Sequence, residues 1–98
     1  MTAYVVASFT VTDPTEYDAY RPAVLPTFLA HGCRILAADY ASQAIEGQPN
    51  PVTVILEFAS KAAASAWYES PEYQAIKHLR TDNSEGTVVL VDQWMPPE

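Results

Sequence analysis

Cysteine is nearly missing from this sequence. Cys33 is the single one in 98 residues, so no disulfide can form within the chain, which fits a reducing compartment and points to the cytoplasm. Basic residues are scarce too. Five Lys and Arg stand against twelve Asp and Glu, for a net charge of -7. Nucleic-acid backbones and anionic membrane surfaces are held by clustered Lys and Arg, and no cluster exists here, so neither is expected as a partner. No run approaches the ~20 apolar residues of a membrane-spanning helix. No basic segment followed by a long apolar run opens the chain, so no signal peptide is expected. A glycine-rich phosphate loop, a serine elbow and a Walker motif are also lacking.

What is present suffices for one fold unit. The length gives a single domain over residues 1–98 with no room for a second core. The hydrophobic share of 49% argues against disorder, because enough apolar surface is available to offset the entropy of ordering. The acidity is read as a solubility feature.

Tyr4 to Val11 is β-branched and aromatic and reads as a strand. It meets Asp13-Pro14-Thr15-Glu16, a helix start with Asp13 as cap and Pro14 at the first position. Tyr17, Tyr20, Val24 and Phe28 follow at helical spacing as its buried stripe. Pro22 and Pro26 each remove a backbone donor, so the helix, about Pro14 to His31, is expected to be kinked or broken. Gly32 suits its left-handed end. Arg34 to Tyr40 is a second strand, continuing irregularly toward Ile45. Glu46 to Pro51 is a turn by composition. Val52 to Phe58 is a third strand, making a hairpin with the second. Ser60 caps a helix from Lys61 to Glu69, and Ser70-Pro71 restarts one that runs to about Arg80. Thr81 to Gly86 reads as a polar loop and Thr87 to Trp94 as the last strand.

The order β-α-β-β-α-β is ferredoxin-like: a four-stranded antiparallel sheet with both helices on one face. The expected core is Phe9, Val11, Val24, Phe28, Val54, Leu56, Phe58, Trp67, Ile76, Val89 and Val91. The uncovered face then carries Val6, Ile55, Val88 and Leu90 beside Ser8, Thr10, Thr53, Glu57 and Asp92. That mixture is apolar for exposure, and a second copy packed face to face would cover it as a homodimer.

Several runs together carry a family resemblance. Thr12-Asp13-Pro14 with Tyr17 and Tyr20, Glu46-Gly47, Glu57-Phe58, Ala64, Trp67-Tyr68, Ser70-Pro71-Glu72-Tyr73 and Arg80 resemble the domain-of-unknown-function 1330 family across nearly the whole chain. The resemblance implies a dimeric α+β barrel, in which two ferredoxin-like sheets face each other. It supplies no catalytic residues, because the family has no established reaction. The sequence departs from the pattern at Ala38-Asp39-Tyr40, where typical members carry a glycine pair and an arginine.

Among individual residues, Glu57 sits mid-strand between Leu56 and Phe58. A buried carboxylate there could act as a general acid or base; a carboxylate at the barrel rim paired with Arg or Lys is the alternative. Tyr20, Trp67 and Tyr73 are expected to wall a pocket between sheet and helices, with Glu57 and Arg80 as its polar groups. Placing Glu57 there requires a bulge or register slip, since its strand phase points it to the other face. Arg80 could instead pair with Asp82 at the surface. His31 and His78 lie at separate helix ends with no third ligand in register, so no metal site is expected. Cys33 has no base or orienting partner in view and reads as a small buried residue. Two functions stay open: an enzyme without metal or tightly bound cofactor, acting on a small aromatic or carboxylic metabolite, or a non-catalytic ligand-binding or interaction module.

Overall fold

The computed structural model describes residues 1–97. Strand β1 (Ala3–Val11) leads to helices α1 (Pro14–Tyr17) and α2 (Tyr20–Ala30), then to β2 (Arg34–Asp39) and β3 (Val52–Phe58). Helices α3 (Lys61–Glu69), α4 (Pro71–Ile76) and α5 (His78–Thr81) precede β4 (Ser84–Asp92). The four strands form one sheet in the order β2-β3-β1-β4, with every neighbouring pair antiparallel. This is the ferredoxin-like α+β arrangement expected from the element order, with the helices on one face.

Local chemistry explains the helix starts. The Asp13 carboxylate accepts from the Glu16 amide at 3.2 Å, and Pro14 sits where a helix needs no donor. Ser60 Oγ accepts from Ala63 N at 3.0 Å, and Ser70 Oγ accepts from Tyr73 N at 3.2 Å. The first helical segment breaks at Asp18-Ala19 rather than at a proline. Pro22 cannot donate back to Asp18, and restarting the helix at Tyr20 places it in a first turn, where that donor is not needed. Gly32, at φ +65°, closes α2, and the Cys33 amide reaches back to Phe28 O at 3.0 Å. The helix expected from Pro71 to about Arg80 is interrupted at Lys77, although Thr81 N still bonds to Lys77 O at 3.0 Å.

Other boundaries shift from the sequence reading. Strand β2 stops at Asp39, because the Asp39 carboxylate takes the Ala41 amide at 2.8 Å and turns the chain. The last strand starts at Ser84, so Ser84 to Gly86 belong to the sheet, and it ends at Asp92, short of Trp94.

The helix-facing side of the sheet carries Ala3, Val5, Ala7 and Phe9, all buried. Val52, Leu56 and Phe58 lie beside them. Tyr17, Tyr20, Val24 and Phe28 are buried from above, as their spacing predicts, with Trp67 and Tyr73. Val11, Val54 and Ile76 are partly buried at the margin of this core.

The phase of β4 is the main correction. Val5 pairs with Leu90 and Ala7 with Val88, so Val88 and Leu90 face the helices. Val89 and Val91 face outward, at 48% and 40% exposure. Asp92 also lies on the helix side, opposite Ala3, with its carboxylate 3.6 Å from Lys61 Nζ. The run Val88-Val89-Leu90-Val91 has no polar alternation from which a phase can be read. Pairing sets it: Gly86 stands opposite Phe9, where any Cβ would collide with Ser8 O of the neighbouring strand.

Candidate small-molecule site

A cavity of about 220 Å³ lies between sheet and helices. Its floor is apolar: Val5, Ala7 and Phe9 of β1, Val54 and Leu56 of β3, and Ile35 and Ala38 of β2. Its roof comes from Tyr20, Val24 and Phe28 of α2, Trp67 of α3, Tyr73 of α4 and Arg80 of α5. The structure thus brings Tyr20, Trp67, Tyr73 and Arg80 to one cavity.

Glu57 is not among them. It pairs across the sheet with Tyr4 and Arg34, on the outer face, half-buried. A bulge does occur, between Ile35 and Ala37 of β2, but β3 runs through its own positions without a slip, so Glu57 keeps the phase opposite to Leu56 and Phe58. Arg80 makes no ion pair with Asp82; its Nε donates to Tyr73 Oη at 3.4 Å.

The polar groups of the cavity form two hydrogen-bonded sets. The hydroxyls of Tyr20 and Tyr73 lie 2.8 Å apart, and those of Tyr17 and Tyr40 2.7 Å apart. The rings of Tyr17 and Tyr20 pack against each other, 5.6 Å apart at their centroids. The Arg21 guanidinium stands 4.5 Å over the Tyr40 ring, a cation–π distance. Trp67 presents only its ring. Its Nε1 donates to Thr27 Oγ1 at 3.0 Å, and Thr27 donates on to Val24 O at 2.7 Å. The Trp67 and Tyr73 rings are 4.2 Å apart.

Electrostatics follow from burial. Desolvation pushes the Tyr20 phenol well above its ordinary range, and Tyr73 pushes it further. Desolvation, then the bond to Tyr40, does the same to Tyr17. Burial works against the charge on Arg80, but the Tyr73 and Tyr20 hydroxyls more than offset it and raise its pKa. Tyr17 and Tyr20 therefore do not ionise near neutral pH. Among the described residues, no Asp, Glu, His, Lys or Cys lines the cavity. No cluster of three metal-ligating side chains occurs among them either. Cys33 lies outside the lining, and burial lifts its thiol to about 11. His31 instead bonds Glu72 at 2.8 Å, which holds that carboxyl below its ordinary value.

The sequence reading missed Arg21 and Tyr40 as site residues. A signal existed for Tyr40, since it falls within the unusual Ala38-Asp39-Tyr40 run. Arg21 gave none, because one arginine beside a proline is an ordinary surface pattern.

A family model described as a domain of unknown function (DUF1330) matches residues 2–94. The chain belongs to the DUF1330 family. No curated protein matches this DUF1330 chain. Among solved structures it is similar to the RPA0582 protein of unknown function from Rhodopseudomonas palustris, with a TM-score of 0.74 and 16% identity, covering 97% of this chain and 84% of that one. SnoaB, a cofactor-independent oxygenase from Streptomyces nogalater, aligns with a TM-score of 0.68 and 14% identity over 99% of this chain and 98% of its own. An antibiotic biosynthesis monooxygenase aligns with a TM-score of 0.56 and 17% identity over 97% and 100%. At these identities the likeness establishes the fold alone, which this DUF1330 protein shares with those structures. No helix among the described residues is long and apolar enough to cross a membrane.

Proposed function

We propose that the cavity is a small-molecule site and that this DUF1330 protein is a cofactor-independent enzyme acting on a small aromatic or carboxylic metabolite. One observation carries the reading. Arg80 is half-buried against an aromatic cavity, and no carboxylate pairs with it among the described residues. Neutral hydroxyls keep Arg80 charged, and that charge faces the cavity with no counter-ion of its own, which suits an anionic ligand. Rigid aromatics give area and a few polar groups give orientation, as small-molecule sites usually do. The fold shared with SnoaB, a cofactor-independent oxygenase, supports chemistry that needs no cofactor.

A second reading, a non-catalytic ligand cup, is favoured by the lack of an ordinary proton acceptor in the described lining. In either case the protein is proposed to work in the cytoplasm as a single-domain homodimer, its outer sheet face covered by a second copy. Val6, Ile55, Val89 and Val91 supply the apolar part of that face.

A thermal-shift screen against small aromatic and carboxylic metabolites tests the site. A ligand at 100 times its Kd stabilises the folded state by about 2.7 kcal/mol. A hit that is also turned over supports the enzyme, and a hit that survives unchanged supports the cup. No hit across such a set, with the Arg80→Ala variant melting well below wild type, makes Arg80 a structural residue and refutes a ligand site there.

A further inference from the structure

We infer that the cavity receives its ligand as a preformed oxyanion on a flat apolar body, with the anionic oxygen held between Arg80, Arg21 and the Tyr20–Tyr73 hydroxyl pair. This rests on the small-molecule reading above and narrows it. The shared chemistry is a delocalised negative oxygen, whether carboxylate, phenolate or enolate.

Charge gives the first argument. The chain carries twelve acids against five bases, yet the charged groups in the described lining are two arginines and no acid. Neither arginine is in ion-pair contact with a described carboxylate. Both lie close enough for their fields to reach the Tyr17 hydroxyl, so the positive charge converges on one corner.

Donor arithmetic gives the second. A guanidinium has five N–H donors, and a phenol has one. Arg80 places one donor on Tyr73, and Tyr73 bonds Tyr20. The two phenols share one bond, so one of their two hydroxyl protons is left without an acceptor among the described residues. Free donors beside a cation suit an anionic oxygen, where charge-assisted bonds are roughly twice as strong as neutral ones.

The third argument is what the corner cannot do. From the strands the cavity meets only apolar side chains, and the polar side chains that the helices and the chain leaving β2 bring to it are tyrosines, Trp67 and the two arginines. Burial keeps Tyr17 and Tyr20 protonated. No group there can take a proton from a neutral acid, so the ligand must lose it to water before or during entry. Any reaction at this site therefore starts from the electrons of the ligand's own anion.

para-Nitrophenol tests this with the full-length protein, because its visible band reports the ionised form. In excess protein its titration midpoint should fall by about one pH unit, a tenfold preference for the anion. Arg80→Met should abolish that fall, and Arg21→Met, at an exposed position that leaves the core intact, should reduce it. Benzoate should compete, and para-nitroanisole, the same ring without an ionisable oxygen, should bind at least tenfold more weakly. Equal binding of para-nitroanisole with an unmoved midpoint overturns the oxyanion site and leaves a small-molecule site standing. Failure of all three probes to bind at millimolar concentration overturns both readings.

Discussion

Replacing Tyr73 with Phe removes one oxygen from the best-buried phenol of the cavity. Tyr73 is 1% exposed and Tyr20 8%, and their hydroxyls lie 2.8 Å apart. Tyr73 also accepts from Arg80, so the substitution strips a partner from two groups at once. Leaving a buried polar group unsatisfied costs about 1–3 kcal/mol. For a domain near 100 residues, each kcal/mol moves Tm by roughly 4–8 °C. Tyr20→Phe should cost less, because Tyr73 keeps its bond from Arg80. The double variant orphans neither phenol of the pair, so its loss should fall short of the sum of the singles by about 0.5–3 kcal/mol. Urea unfolding of the four proteins at one pH measures all three quantities. Single losses below about 0.5 kcal/mol that add in the double variant would show both hydroxyls already solvated. The buried chain inferred from the geometry would then be wrong.

Gly86→Ala should destabilise by about 1–3 kcal/mol, because the new Cβ meets backbone of the adjacent strand and cannot be relieved by rotating a side chain; an unchanged or raised urea midpoint would remove Gly86 as the feature that sets the β4 phase. Val89→Asp, like Ile55→Asp, should split the proposed homodimer, since both side chains sit on the outer face and a buried unpaired charge is costly. Wild-type protein that sediments at micromolar concentration as a 10.8 kDa monomer would refute that assembly. Cys33, with its thiol raised by burial from 9.0 to about 11, should carry about a hundredfold less thiolate at pH 8 than an ordinary thiol and alkylate correspondingly slowly. The same shift means the folded state holds this proton longer than the unfolded chain, so its contribution to stability is lost as pH rises through about 9 to 11. Alkylation as fast as in unfolded protein would place Cys33 at the surface.

Sequence alone determined the order of elements, because each strand and helix start carries its own local chemistry. Asp13-Pro14, Ser60 and Ser70-Pro71 cap their helices through contacts spanning three residues. The Tyr17, Tyr20, Val24 and Phe28 stripe is a matter of helical period, and all four are buried. The choice of Tyr20, Trp67, Tyr73 and Arg80 as cavity residues was legible for the same reason: two helices over one sheet turn their aromatic stripes toward each other. The outward phase of Glu57 was legible as well, from the alternation of Leu56 and Phe58. Tertiary structure decided the rest. Four consecutive apolar residues in β4 carry no phase of their own, and the pairing of Gly86 with Phe9 assigned it. The bulge that could have turned Glu57 inward formed in β2 instead. Arg21 and Tyr40 meet only because the chain leaving β2 passes beneath the first turn of α2, a contact between distant segments that no local pattern encodes.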